Sequence, residues 1–172
     1  MTGTYEATEQ TTRDNHLTSQ EKPGDQDSHL PLPINTRSWV MPERFRDKLT
    51  TIDEACKLVK SGERVYIGGG CGEPILLAQG LVSRADELRN VEIVHILTAG
   101  HATYAAPELA ESFHVNSLFI GANIRSAVQE GRADFTPVFL HEIPRLFREG
   151  YLPIDVAFIS VSPPDQHGYC SF

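Results

Sequence analysis

The chain has 172 residues, of which 40% are hydrophobic and 22% charged, and its formal net charge is −8. That is room for one domain with a real core rather than two, and a negative field argues against non-specific binding to nucleic acid or to anionic membrane. No apolar run approaches the roughly 18 to 20 residues that span a bilayer.

The first thirty residues lack the apolar core of a signal peptide, and they carry six acids against two bases, Arg13 and Lys22. So polar a stretch buries too little surface to offset its ordering entropy. Residues 1–44 are therefore expected to be a disordered tail ending in a proline-containing arm, PLPINTRSWVMPERF, whose Trp39 and Phe45 dock on the domain. The ordered domain is expected over residues 45–172. Three cysteines, Cys56, Cys71 and Cys170, fit neither a disulfide framework nor Cys-x-x-Cys zinc spacing, so a reducing, cytoplasmic compartment is expected.

Thr51 and Glu54 form a capping box, with Ile52, Ala55, Cys56 and Val59 on one helical face and Gly62 at the C-cap. Arg64 to Ile67 reads as a short strand running into GGGCGEP. Pro74 opens a second helix on which Ile75, Leu76, Ala78, Leu81, Val82 and Ala85 are expected to be buried. VEIVHIL (91–97) is a strand covered on both faces, TAGHATY is a loop, and SLFIG (117–121) is a further strand. NIRSAVQEG is a helix ending at Gly131, HEIPRLFREG another, and DVAFISV (155–161) the last buried strand, followed by SPPDQHGYCSF. Alternating short strands and helices predict an α/β fold with a mostly parallel sheet flanked by helices. In such a sheet the loops GGGCGEP, TAGHATY, GANIR and SPPDQHGY crowd the carboxyl edge, where ligands bind.

The chemistry of these loops is mixed. GGGCGEP fails the dinucleotide fingerprint, because Glu73 takes the third glycine's place and puts a negative charge where a pyrophosphate would bind. Cys71 sits at a strand-to-helix turn, as a nucleophile could, or is a small residue tolerated in a tight loop. His95 reads as a satisfied core residue. His101, His141 and His167 form no metal-like pair, so no metal is expected. Arg125 and Arg132 suit a carboxylate or a CoA phosphate, or else an ordinary solvated helix face.

The series ERVYIGGGCGEP, HILTAG, FIGANIRSAVQEGRADFTPVFLHEIPRLF and DVAFISVSPPDQHGYCSF closely resembles the N-terminal half of the acetyl-CoA hydrolase/transferase family. That family includes 4-hydroxybutyrate CoA-transferase, succinyl-CoA:acetate CoA-transferase and acetyl-CoA hydrolase. The resemblance implies a CoA-transferase-like N-terminal domain and coenzyme A as a substrate, with no metal. It implies transfer of CoA between an acyl-CoA such as acetyl-CoA and a small carboxylic acid by way of a glutamyl-CoA thioester. It places the nucleophilic glutamate in a C-terminal domain, so no catalytic residue is assigned within residues 1–172, and these residues alone are expected to be inactive. The partner is then that domain, in cis or in trans, and a homo-oligomer is expected. By the same resemblance, Gly70, Cys71, Gly72, Thr98, Gly100, Asn123, Arg125, Pro163, His167 and Gly168 line the substrate pocket. Two other readings remain open: a thioesterase with Cys71 as nucleophile, and a non-catalytic binding or assembly module of the same fold.

Overall fold

In the computed structural model, residues 42–172 are described; Trp39 and the tail expected to be disordered lie outside them. Five parallel strands form one sheet, in the order β4-β3-β2-β1-β5. They are β1 (Arg64–Ile67), β2 (Val91–His95), β3 (Phe113–Ser117), β4 (Ala133–Phe135) and β5 (Val156–Phe158), joined through α1 (Ile52–Cys56), α2 (Ile75–Val82), α3 (Arg125–Gln129) and α4 (Ile143–Arg148). The predicted parallel α/β sheet is present.

Local signals account for the element ends. The Thr51 hydroxyl accepts the Glu54 amide at 3.2 Å, completing half of the capping box. The helix then ends at Cys56 with Lys57 as its C-cap, so Gly62, left-handed at φ +82°, turns the chain into β1 rather than capping the helix as expected. Ile52 and Cys56 of α1 pack so closely on α2 that a Cβ on Gly80 would lie 2.6 Å from Ile52 and 2.9 Å from Cys56. Below the strands, Arg64 ties three segments together. Its backbone amide donates to Asp155, and its guanidinium donates to Glu92 at 2.5–2.7 Å and to the Pro153 carbonyl at 2.8 Å.

The core lies on both faces of the sheet. Val65, Ile67, Val91, Ile93, Val115 and Phe158 join Leu81, Leu88 and Tyr104 on one face, and Val94 joins Leu118, Ile143 and Leu152 on the other. Burying these side chains contributes about 1.5–3 kcal/mol for each large aliphatic or aromatic group.

Several expectations are corrected. The third strand is Phe113–Ser117, so SLFIG begins where that strand ends. A short strand, Ala133–Phe135, extends the sheet beyond it. Not every strand is covered: β4 and β5 are the sheet edges, and Asp134, Phe135 and Ala157 are exposed. Ile75 and Leu76, expected in the core of α2, are 49% and 63% exposed and line an open cavity at the start of that helix.

Candidate functional site

All four predicted loops follow carboxyl ends of the parallel strands. The first two are joined backbone to backbone. The Gly70 amide donates to the Leu97 carbonyl at 2.8 Å, and a Cβ on Gly69 would stand 2.2 Å from that same oxygen. Only glycine permits this approach, so the close contact inside the chain falls at Gly69. At Gly70 and Gly72 an added Cβ meets nothing within 4 Å, leaving the protein side open there. Cys71 is exposed between them.

Glu73 closes the same turn. Its Oε2 accepts the amides of Ala99 and Gly100, at 2.7 and 2.8 Å, so the second loop hangs from the first. Successive backbone N–H groups converging on one carboxylate oxygen make a small anion nest. The third loop joins through Asn123, whose Nδ2 donates to Thr98 Oγ1 at 3.0 Å and to the Gly100 carbonyl at 2.9 Å. Thr98 Oγ1 is also 3.4 Å from the Tyr104 hydroxyl. Gly70, Thr98, Gly100 and Asn123 therefore belong to one connected wall.

Burial governs the titration of its inner members. The Tyr104 hydroxyl is pushed up to about 12 by burial, which outweighs the opposing hydrogen bond with Thr98. His95 is fully buried and is pushed down to about 4 by burial, against a smaller upward pull from the Glu73 charge. It is a core histidine, as expected, but not a satisfied one: neither ring nitrogen has a hydrogen-bond partner among the described residues. The Asn123 carbonyl oxygen is likewise buried and unpartnered.

Two cavities meet at Glu73. One, of about 520 Å³, runs between the start of α1, Pro74–Leu77 and Ile159–Ser160. The other, of about 290 Å³, lies between the start of α2 and residues Ala99–Tyr104.

The remaining candidate positions are placed elsewhere. Arg125 is exposed at the first position of α3 and its side chain makes no hydrogen bond to a described residue, whereas Arg132 is engaged by Glu130 and by the Ala105 carbonyl. Pro163, His167 and Gly168 belong to a loop organised by Asp165, whose Oδ1 accepts the His167 and Tyr169 amides at 2.8 and 2.9 Å. The Tyr169 amide, foremost among these donors, lowers the Asp165 carboxyl below its usual range. Arg44 donates to the Gln166 carbonyl, and the Phe45 ring would stand 2.7 Å from a Cβ on Gly168, where φ is +94°. No hydrogen bond among the described residues links this loop to the Glu73 wall. No cluster of metal-ligating side chains occurs among the described residues.

Glu73, Gly69 and Tyr104 are the members of the wall that the sequence reading did not assign to it. The three consecutive glycines marked a close approach without saying which glycine makes it. An acid ahead of Pro74, where it caps no helix amide, was the available signal for Glu73.

A model of the acetyl-CoA hydrolase/transferase N-terminal domain matches residues 35–172. The 4-hydroxybutyrate coenzyme A transferase of Clostridium kluyveri is 42% identical over 130 residues, covering 76% of this chain and 30% of the relative. A succinyl-CoA:acetate/propanoyl-CoA:succinate CoA transferase of Fasciola hepatica is 43% identical over 133 residues, covering 76% and 27%. The chain thus spans less than a third of the length of these curated relatives. Among solved structures, RipA from Yersinia pestis is similar with a TM-score of 0.67 at 29% identity, covering 74% of this chain and 32% of that one. A 4-hydroxybutyrate CoA-transferase from Porphyromonas gingivalis gives a TM-score of 0.57 at 29% identity, covering 74% and 28%.

Proposed function

The chain belongs to the acetyl-CoA hydrolase/transferase family, matching its N-terminal domain, and on that premise we propose that it forms the substrate-pocket wall of an enzyme that moves CoA between an acyl-CoA such as acetyl-CoA and a carboxylic acid. The observation that carries this reading is the connected wall itself. Gly70, Glu73, Thr98, Gly100 and Asn123, drawn from three strand-end loops, are hydrogen-bonded into one surface beside two cavities.

The nucleophile is a glutamate of a C-terminal domain, supplied in cis or in trans. Its carboxylate oxygen attacks the thioester carbon, and the CoA thiolate leaves, giving a mixed anhydride. The thiolate then attacks the glutamyl carbonyl and releases the first acid, leaving a glutamyl-CoA thioester. The acceptor carboxylate resolves that thioester by the same two exchanges in reverse, whereas in a hydrolase water attacks the glutamyl thioester directly, releasing CoA and regenerating the free glutamate. The wall of residues 70–123 keeps the reacting acyl group in one orientation while each tetrahedral oxyanion forms and collapses. Residues 1–172 by themselves do not turn over.

In the catalytically complete enzyme, Asn123→Ala removes both ties between the second and third loops and is expected to lower kcat/KM by about tenfold or more. Unchanged kinetics for both Asn123→Ala and Thr98→Val would show that this wall does not face substrate.

A further inference from the structure

The Glu73 carboxylate uses its two oxygens unequally. Oε2 accepts both the Ala99 and Gly100 amides, while Oε1 accepts no hydrogen bond from a described residue and lies against Gly100, 2.7 Å from where a Cβ would be. A carboxylate pinned through one oxygen is fixed in orientation and retains acceptor capacity on the other. The side chain lines the cavity of about 290 Å³, together with the apolar Ile75 and Ala78 and the polar Gln79 and Thr103. Neither lysine nor arginine is among the residues lining that cavity, nor among those lining the larger one. Besides Glu73, the titratable groups around the smaller cavity are His101 and Tyr104.

We infer that the smaller cavity takes the tail of the acyl group, and that Glu73 selects an uncharged tail carrying a hydrogen-bond donor, such as a hydroxyl, over one ending in a second carboxylate. This rests on the CoA-transferase reading and adds to it the class of acid used. A hydroxyl on the tail donates to Oε1 in a charge-assisted bond. A plain alkyl tail suits the apolar wall but covers Oε1 without replacing the water that solvates it. A terminal carboxylate meets a like charge with no lysine or arginine lining the cavity to neutralise it, and repulsion adds to desolvation. The order of preference is therefore hydroxyacyl, then alkyl, then dicarboxylic.

The test uses the catalytically complete enzyme with acetyl-CoA as donor and 4-hydroxybutyrate, butyrate and succinate as acceptors, comparing kcat/KM. 4-Hydroxybutyrate is expected to exceed succinate by about tenfold or more. Glu73→Gln removes the charge but keeps an acceptor, and it is expected to narrow that ratio toward unity. Gln79→Lys, on the exposed face of α2, places a cation in the cavity and is expected to raise the succinate rate selectively, a second reading should Glu73→Gln fold poorly. Transfer in another order, or ratios that neither substitution moves, overturns the inference alone. Transfer to none of the three acids overturns the CoA-transferase reading and the inference with it.

Discussion

His95 makes stability depend on pH in a way that can be calculated. In the unfolded chain its imidazole titrates near 6.5, and in the folded chain burial lowers this to about 4. Above 6.5 both states hold the ring neutral, and the group contributes no pH dependence. Between 6.5 and 4 the unfolded chain binds the proton and the folded chain does not, so stability falls as pH falls. The loss is complete near the folded value, and at about 1.4 kcal/mol per pH unit it reaches about 3 kcal/mol. Urea unfolding of residues 1–172, followed by circular dichroism from pH 8 to pH 4, measures it. Other groups also titrate in that range, so the informative quantity is the difference between the native chain and His95→Leu at each pH. The leucine removes the two unpartnered ring nitrogens, so the variant is expected to be no less stable at pH 8 and to gain on the native chain by about 3 kcal/mol as the pH drops to 4. A difference that stays constant across the range would refute the reasoning, since it would mean that the ring is solvated or partnered in the folded chain.

Two further outcomes test the packing. Gly69→Ala drives a Cβ to within 2.2 Å of the Leu97 carbonyl, a backbone atom that cannot swing aside, and is expected to cost about 3 kcal/mol in urea unfolding; Gly72→Ala, with nothing within 4 Å, is expected to cost less than about 1 kcal/mol. Equal effects at the two positions would contradict the assigned contact. Phe119, Phe135, Phe139 and Leu140 are exposed, and the first three line a cavity of about 480 Å³ with Leu118, Pro137 and Val138, so residues 1–172 alone are expected to self-associate. Light scattering that gives a monomer at every concentration would count against this.

The sequence carried the fold wherever the signal was local. The Thr51–Glu54 box, the strand Arg64–Ile67 and the left-handed Gly62 and Gly131 are each written in a few adjacent residues. It failed for β3 because polar residues interrupt that strand. His114 is exposed, and Asn116 is buried only because it donates to Glu92 and accepts from Thr136, partners 24 and 20 residues away. It failed for Ala133–Phe135 because three residues at a sheet edge leave no periodicity to read. The site divides in the same way. The motifs marked the right loops, but the bonds that join them, Glu73 to Ala99 and Gly100 or Asn123 to Thr98, link residues 25 to 27 apart and become visible only once the parallel strands are in register.

The most direct test of the central claim is an acyl-transfer assay with acetyl-CoA and 4-hydroxybutyrate on residues 1–172 alone, and again after adding a glutamate-bearing C-terminal half of the family. The expected result is no CoA transfer by residues 1–172, and transfer on mixing that is lost when the added glutamate is replaced by alanine. Transfer by residues 1–172 alone, persisting through repurification, would place the nucleophile within this chain and contradict the account.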